Sequence, residues 1–388
     1  MSNEFHINTP DGKPRARSLD IPFQGIPGKY NAITDVTGVK VGYTTLIEGN
    51  GPLEVGQGPI RTGVTAILPR GHEGIGSSCA AGVHAFNGNG EMTGMSWIEE
   101  SGGFNMPIVI SNTHAVGVCH RGVIDWIRQN KSELSHQWLL PVAAETWDGY
   151  LNDIFGAHVS GEHVIAAIDK AHTGAIEEGS VGGGTGMNCY AFKGGNGTSS
   201  RVVDYGDEQY TVGVFLQANF GARQELVISG MPIGRDLTED NPMENFYSGA
   251  ATGAGSCIAI VATDAPMLPN QCKAMARRVS IGLARTGTIG SHFSGDIFLA
   301  FSTANLGALD STFPHGEPDR NSYQTIKFIP WNRMDNFYTA VVQCVEEAVI
   351  NALTANTEMI GRDGHRTPAL PHDIVKNHMA KLRRIQLA

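Results

Sequence analysis

The segment Ala254-Gly255-Ser256-Cys257 joins a loop of glycines and alanines to an apolar run that predicts a strand. This places a serine at the first position of the strand, where it can act as an N-terminal nucleophile. If the Gly255–Ser256 bond were cut, Ser256 would carry its hydroxyl and a free α-amino group with a pKa near ~7.7–8.0. That amine can serve as the base that activates the hydroxyl. An ordinary Gly-Ser turn entering a strand is the alternative that the local pattern leaves open.

Other common catalytic patterns are absent from the sequence. No G-x-G-x-x-G follows a strand, no G-x-x-x-x-G-K-[ST] occurs, and no serine has glycines two residues before and after it. The fourteen histidines include no H-E-x-x-H, so they are interpreted as hydrogen-bonded or surface side chains, and no metal is expected. Cys257 is a competing nucleophile, but alternation along a strand should turn it to the face opposite Ser256.

The elements that must position this junction are predicted from hydrophobic periodicity and from runs of Val, Ile and Thr. The predicted strands are 38–47, 62–69, 106–112, 163–169, 209–220, 256–264 and 294–304, and the predicted helices are 122–130, 268–285 and 336–356. Glycine-dense stretches at 178–197 and 247–256 should bend or approach other backbone closely. The irregular order, without repeat or linker, favours one domain over 1–388, of the α+β class with two packed sheets flanked by helices.

Composition excludes several classes of protein. The 388 residues include 28 Lys+Arg and 38 Asp+Glu, a formal net charge of −10 with no basic block, so no nucleic-acid partner is expected. No window approaches the ~20 apolar residues of a membrane span, and the polar N-terminus lacks a secretory signal, so a cytoplasmic location is predicted. The six scattered cysteines fit buried, reduced thiols.

Eight segments, in this order along the chain, resemble the family of self-processing aminopeptidases that includes the L-aminopeptidase/D-esterase-amidase and the β-peptidyl aminopeptidases. They are 31–46 (NAITDVTGVKVGYTTL), 60–71 (IRTGVTAILPRG), 86–94 (FNGNGEMTG), 145–153 (ETWDGYLND), 179–187 (GSVGGGTGM), 217–221 (QANFG), 255–269 (GSCIAIVATDAPMLP) and 294–305 (SGDIFLAFSTAN). Each motif is weak by itself, whereas their order is specific.

The resemblance implies a four-layer αββα sandwich similar to that of N-terminal-nucleophile hydrolases, with different strand connectivity shared with ornithine acetyltransferases. It also implies a precursor that cuts itself between Gly255 and Ser256, which leaves an α-fragment 1–255 and a β-fragment 256–388. Relatives of this kind form tetramers of the cleaved pair and need no metal or organic cofactor, so a homo-oligomer without a cofactor is expected.

The resemblance also assigns catalytic residues one position at a time. Ser256 matches the nucleophile, and Asn219 in QANFG matches the asparagine whose amide donates to the oxyanion. Ser294 and Asp296 match a serine and an acidic residue implicated in polarising the nucleophile or its amine. Residues two apart on a strand share one face, so both can reach one site. Some relatives carry Glu where this chain has Asp296, which shortens the arm.

A substrate-binding set follows from the same resemblance. Glu145 matches the carboxylate that binds the substrate's N-terminal ammonium, a charge-assisted contact that an internal peptide cannot make. Relatives often place a tyrosine two residues later as an oxyanion donor, whereas this chain has Trp147, and Tyr150 is the nearest hydroxyl. Either can donate there, and both can simply line the pocket.

The sequence therefore predicts a hydrolase that removes the N-terminal residue from small peptides, amides or esters through an acyl-enzyme on Ser256. An acyltransferase of the ornithine acetyltransferase type is a less favoured alternative, because those enzymes use threonine as the nucleophile. A non-catalytic binding or scaffold protein on the same fold is the alternative from a different class.

Overall fold

The structure is a computed structural model that describes residues 3–246, 255–311, 313 and 316–387. Its strands are β1 Lys40–Glu48, β2 Ile60–Leu68, β3 Cys79–Ala85, β4 Gly103–Phe104, β5 Ile108–Asn112, β6 Val142–Thr146, β7 Asn188–Cys189, β8 Phe192–Lys193, β9 Gly195–Tyr205, β10 Glu208–Asn219, β11 Ser256–Thr263, β12 Gly295–Ser302, β13 Met359–Ile360 and β14 Arg366–Thr367. Its α-helices are α1 Glu4–Ile7, α2 Met95–Ser101, α3 Val116–Asn130, α4 Gly161–Asp169, α5 Met243–Phe246, α6 Pro269–Ala284, α7 Asp335–Thr354 and α8 His372–Leu387.

Two sheets lie face to face at the centre of the molecule. The four-stranded sheet has the order β1-β2-β5-β6, and the six-stranded sheet has the order β4-β3-β12-β11-β10-β9. The pairs β5–β6 and β11–β12 are parallel, while the neighbouring pairs in both sheets are antiparallel. The strand β11, which begins at Ser256, is therefore central in its sheet, with β10 on one side and β12 on the other.

Helices cover the outer face of each sheet. The helices α3 and α4 pack on the four-stranded sheet, and α6 and α7 pack on the six-stranded sheet. Between the sheets lies an apolar layer that includes Ile110, Ile258 and Leu299, and separate apolar layers fill the space under each helix pair. This α-β-β-α order confirms the expected α+β class and the four-layer sandwich.

Strand and helix predictions hold where the apolar period is strong, and one of them is wrong. Residues 163–169 are predicted as a strand but form all of helix α4 except its first two residues. The side chains of Val164, Ala167 and Ile168 are buried, a spacing that suits a helix face packed on a sheet. The backbone N–H of Ser160 donates to His163 Nδ1 at 3.1 Å, which caps the helix start and outweighs the β-propensity of Val and Ile.

Besides the two-residue strands, three strands were not predicted, and all are short of β-formers or rich in small residues. They are β3 (CAAGVHA), β6 (VAAET) and β9 (GNGTSSRVVDY). Strands β3 and β9 pair with β12 and β10, and β6 pairs with β5. Neighbours supply the packing that sequence propensity lacks, because β-preference measures fit to a sheet more than a backbone tendency.

A buried cluster of charges ties the N-terminal segment to α7. The Glu347 carboxylate accepts hydrogen bonds from Arg17 at 2.6 Å, from Arg201 at 2.6 Å and from Asn31 at 2.7 Å. Burial alone would raise the pKa of Glu347, but the guanidinium groups of Arg201 and Arg17 outweigh it and lower the pKa to about 2.

None of the described helices is long and apolar enough to cross a membrane.

Replacing Glu347 with Gln should destabilise the fold by about 3–5 kcal/mol, because it leaves buried guanidinium groups without their counter-charge. The matched control is Glu346→Gln, whose partner Arg285 is half exposed, and its cost should stay below about 1 kcal/mol. Denaturant unfolding followed by circular dichroism measures both. Equal small losses would show that the buried cluster contributes no more than a surface ion pair.

Candidate active site

Ser256 begins β11 at the point where three strand ends meet. In the register, Ser256 lies opposite Asn219 of β10 and beside Gly295 of β12. Directly opposite residues of an antiparallel pair share one face, so the Ser256 hydroxyl and the Asn219 amide project to the same side of the sheet. Along β11, Ser256 projects to the face opposite Cys257 and to the same face as Ile258, which lies in the layer between the sheets. The nucleophile predicted from the sequence therefore faces the other sheet.

Cys257 faces the opposite way, as the sequence predicts. It belongs to the apolar layer under α6 and α7, and it is fully buried. Burial raises the pKa of its thiol well above the ordinary value, and the nearby Asp296 carboxylate raises it further. A thiol so disfavoured as thiolate is a poor nucleophile, because the thiolate is the reactive form. All six cysteines are free and buried.

The Gly255 carbonyl is held by two donors. The backbone N–H of Gly295 donates to it at 3.1 Å, and Ser256 Oγ donates to it at 2.7 Å. A Cβ on Gly255 would lie 1.7 Å from the Asn219 carbonyl oxygen, so no other residue fits this backbone. The rest of the glycine-rich stretch, residues 247–254, lies outside the described residues.

The Asn219 amide is fixed on both sides. Its Oδ1 accepts from the backbone N–H of Asn188 at 2.9 Å, and its Nδ2 donates to the Trp147 carbonyl at 2.9 Å. These two bonds settle which way the amide points, since exchanging O and N would break both. The second N–H of Nδ2 has no partner among the described residues, and Asn219 is the register partner of Ser256.

Ser294 and Asp296 are brought together as predicted. Ser294 Oγ donates to Asp296 Oδ1 at 2.6 Å, while Asn87 Nδ2 donates to Asp296 Oδ2 at 2.9 Å. Burial raises the pKa of Asp296, and these hydrogen bonds oppose the rise. Asp296 lies beside Cys257 in the β11–β12 register, one residue from the nucleophile.

Glu145 comes from the other sheet, at the end of β6. Its Oε1 accepts from the backbone N–H of Glu91 at 2.9 Å, and its Oε2 accepts from Thr113 Oγ1 at 2.5 Å. The residue is only 2% exposed, and no ion pair joins its carboxylate to a cation in the described residues. Burial raises its pKa, while the bonds from Thr113 and Glu91 oppose the rise. A buried carboxylate without a counter-ion can accept a cation from a ligand.

The loop 87–91 connects Glu145 to the nucleophile. A Cβ added to Gly90 would lie 3.0 Å from Gly295 Cα and 3.2 Å from Glu145 Oε1. A Cβ added to Gly295 would lie 2.4 Å from the Asn89 carbonyl oxygen. Gly295 is the register neighbour of Ser256, so the carboxylate and the hydroxyl belong to one site built from both sheets.

Trp147 and Tyr150 take different positions around this site. Trp147 provides the main-chain carbonyl that receives the Asn219 amide, and its ring folds over Gly149. The Tyr150 hydroxyl donates to the Arg366 carbonyl at 3.3 Å, and its ring stacks on His365 at 4.7 Å. Both side chains belong to a small apolar cluster next to the site. Their predicted contact with substrate stays a prediction.

Sequence reasoning missed the residues that hold the predicted ones in place. They are Asn87, Glu91, Thr113 and Asn188, together with Gly90 and Gly295. The only signal was the density of Asn and Gly in FNGNGEMTG, which indicates a tight loop but not what it touches. No group of three or more metal-ligating side chains is placed to hold a metal ion in the part of the chain described.

The sandwich matches the fold of a class of protein, the serine aminopeptidases with a variant of the N-terminal-nucleophile hydrolase fold. The L-aminopeptidase D-Ala-esterase/amidase from Ochrobactrum anthropi, described as a prototype of that class, is 42% identical with a TM-score of 0.86, covering 96% of this chain and 99% of its own. A beta-aminopeptidase of Burkholderia sp. is 41% identical with a TM-score of 0.85, covering 95% and 98%.

The family follows from the sequence comparisons. The profile of Peptidase family S58 matches residues 31–367, and the chain belongs to that family. Beta-peptidyl aminopeptidase BapA from Sphingosinicella microcystinivorans is 45% identical over 383 residues, which cover 97% of this chain and 94% of the relative. The predicted enzyme class, a hydrolase of the N-terminal-nucleophile aminopeptidase type, is thereby confirmed, and the acyltransferase alternative is not favoured.

Replacing Gly295 with Ala should lower the aminopeptidase kcat/KM by on the order of 10²-fold, because the added methyl must displace the loop that joins the Glu145 carboxylate to the nucleophile. The matched control is Gly88→Ala in the same loop, where an added Cβ meets no atom within 4 Å. Hydrolysis of an aminoacyl p-nitroanilide measures both variants. Similar activity in the two would show that the loop contact has no functional weight.

Proposed function

We propose that this protein is a self-activating serine aminopeptidase that removes the N-terminal residue from small peptides, amides or esters with a free amine. The observation that carries the proposal is the geometry at Ser256. Its Oγ lies 2.7 Å from the Gly255 carbonyl oxygen, which also accepts the Gly295 N–H at 3.1 Å. A nucleophile next to a polarised carbonyl is the arrangement that cleavage of that bond requires.

Self-cleavage begins with attack of Ser256 Oγ on the Gly255 carbonyl carbon. The Gly295 N–H stabilises the negative charge that develops on the Gly255 oxygen. Collapse breaks the C–N bond, protonates the Ser256 nitrogen and leaves an ester, which water then hydrolyses to a Gly255 carboxylate and a free Ser256. The fragments 1–255 and 256–388 stay together, because β11 pairs with β10 and β12 pairs with β3 across the cut.

The mature enzyme uses the same serine on substrate. The freed α-amino group takes the proton from Oγ as Oγ attacks the substrate carbonyl. The unpartnered N–H of Asn219 donates to the oxyanion, an interaction worth ~3–4 kcal/mol in comparable sites. Asp296 is oriented by Ser294 and Asn87 and is the register partner of Cys257, one residue after Ser256. We assign it the role of holding the α-amino group in position. Collapse of the tetrahedral intermediate breaks the substrate's C–N or C–O bond, and the leaving amine or alcohol takes the proton from the α-ammonium group. Water then hydrolyses the ester on Ser256, releases the acyl group as an acid and regenerates the enzyme.

The Glu145 carboxylate binds the substrate's N-terminal ammonium. It is buried, has no ion-pair partner in the part of the chain that the structure describes, and contacts the proposed nucleophile's surroundings through Gly90 and Gly295. An internal peptide offers no cation and would leave the carboxylate uncompensated, so only the first residue is removed. We propose that this residue is preferentially a β-amino acid, since BapA and the Burkholderia relative are named for that substrate class.

Two further expectations stay predictions. They are a cytoplasmic location and assembly into tetramers of the cleaved pair. A non-catalytic scaffold on the same fold would keep the chain intact, and the test of self-cleavage distinguishes it from the proposal.

Replacing Ser256 with Ala should abolish both self-cleavage and activity, because no other hydroxyl among the described residues donates to the Gly255 carbonyl. Intact mass and N-terminal sequencing should give a single chain for the variant and two fragments for the native protein, the smaller beginning Ser-Cys-Ile-Ala. The matched control is Cys257→Ala, which removes the neighbouring nucleophile on the opposite face and should still be cut. A Ser256→Ala chain that is cut between 255 and 256 would overturn the proposed nucleophile.

Replacing Glu145 with Gln should raise KM for free-amine substrates by at least about tenfold and leave the slow hydrolysis of N-acylated analogues unchanged. In the native enzyme KM for the amine should rise as pH falls through the raised pKa of Glu145, because only the carboxylate attracts the ammonium. The variant should lose that pH dependence. Glu91→Gln is the control, since the backbone of Glu91, not its exposed side chain, contacts Glu145. Equal losses on both substrate types would remove the ammonium-binding role.

A further inference from the structure

Lys193 is a buried cation that the mechanism above does not use. It lies on β8, in the hairpin with β7, and its side chain is fully buried. Its Nζ donates to the Met187 carbonyl at 2.7 Å and to the Gly194 carbonyl at 2.9 Å. Burying an ammonium group costs several kcal/mol even after relaxation, and an uncharged chain of similar length would fill the same space.

The Lys193 ammonium is linked to Asn219 through a single peptide group. The carbonyl of Met187 and the N–H of Asn188 belong to the same peptide bond. Nζ donates to that carbonyl, and that N–H donates to Asn219 Oδ1 at 2.9 Å. Peptide resonance transmits charge from oxygen to nitrogen, so a cation on the oxygen makes the N–H a stronger donor.

The Asn219 amide passes the same polarisation to its other end. A strong hydrogen bond to Oδ1 draws electrons from Nδ2 and makes both of its N–H groups better donors. One goes to the Trp147 carbonyl, and the other is the N–H that the proposed mechanism assigns to the substrate oxyanion. A continuous series of hydrogen bonds therefore leads from the Lys193 ammonium through two amide groups to the N–H proposed to bind the oxyanion.

A buried acid, Asp148, lies close enough to act electrostatically on Lys193. Asp148 directly follows Trp147, and its Oδ2 has no hydrogen-bond partner among the described residues. Burial raises the pKa of Asp148 to about 7 and lowers the pKa of Lys193 to about 7, while the attraction of Asp148 opposes the fall at Lys193. When it is ionised, Asp148 favours the charged form of Lys193, although no ion pair joins these two described side chains.

We propose that Lys193 is a positioning residue for catalysis, which polarises and orients the Asn219 amide through the 187–188 peptide and so strengthens its bond to the oxyanion. This inference rests on the proposed function, in which Asn219 stabilises that oxyanion. Its effect belongs to the transition state, because the substrate carbonyl carries much less charge than the oxyanion.

Lys193→Met tests the proposal, with Thr367→Val as the matched control. Thr367 Oγ1 donates to the Asn188 side chain at 2.6 Å, so its loss loosens the same hairpin without touching the polarised peptide. Removing an oxyanion donor costs about 10²–10³ in kcat, and weakening one should cost about tenfold. We expect Lys193→Met to lower kcat about tenfold with KM unchanged, and Thr367→Val to lower only the melting temperature.

Inhibitor binding separates polarisation from simple loss of structure. A boronic acid such as 1-aminoethylboronic acid adds to Ser256 and places an oxygen at the oxyanion position, whereas isopropylamine offers the same amine and has no oxygen. Lys193→Met should weaken binding of the boronic acid about tenfold and leave binding of isopropylamine unchanged. Equal weakening of the two inhibitors, or a kcat loss no larger than that of Thr367→Val, would overturn the inference.

Two additional variants cover the remaining outcomes. Lys193→Gln keeps an uncharged hydrogen-bond donor at this buried position and should give a kcat between those of the native enzyme and Lys193→Met. If Lys193→Met does not fold or mature, a native kcat in Lys193→Gln would refute the role of the charge. Asn219→Ala separates the two proposals. A native kcat in that variant would remove the proposed role of Asn219 itself, whereas an inactive Asn219→Ala beside an unaffected Lys193→Met would remove only the role of Lys193.

Discussion

The close approach of backbone to backbone at Gly255 and Gly295 is the constraint on which the site depends. At Gly255 a Cβ would occupy the position of the Asn219 carbonyl, and at Gly295 it would enter the loop 87–91. With hydrogens as side chains, the strand ends can lie in contact, and the Gly295 N–H can reach the Gly255 carbonyl. A larger residue at either position would separate the nucleophile from the groups that polarise and select its substrate.

The same constraint would let one serine serve both reactions of the proposed mechanism. In the structure its hydroxyl lies on the carbonyl of its own chain, and in that mechanism the departure of the carbonyl after cleavage leaves room for a substrate. The proposed nucleophile and oxyanion donor come from the six-stranded sheet, and the carboxylate proposed to select a free amine comes from the four-stranded sheet. Chemistry and specificity therefore come from different sheets and meet only because the apolar layer between them holds their edges in register.

The site also depends on buried polar groups whose hydrogen bonds leave little freedom. Asn219, Asp296 and Glu145 each accept or donate bonds that fix their orientation before substrate arrives. Preorganised dipoles of this kind stabilise developing charge without reorganising at the moment of reaction. Far from the site, the Glu347 cluster performs a comparable structural task by tying the N-terminal segment to the outer helix that supports the six-stranded sheet.

The sequence by itself determined the α+β class, most of the long strands and helices, the opposite faces of Ser256 and Cys257, and the residues assigned by resemblance to the site. The elements and the two faces follow from alternation along a strand or from a few neighbouring residues, and the site residues follow from the order of eight short motifs along the chain. Only the tertiary structure decided that 163–169 is helical, that Glu145 reaches the site through Gly90, and that Lys193 is linked to Asn219. Each of these depends on contacts between segments far apart in the chain, and such contacts are set by packing, which leaves no periodic signal in the sequence.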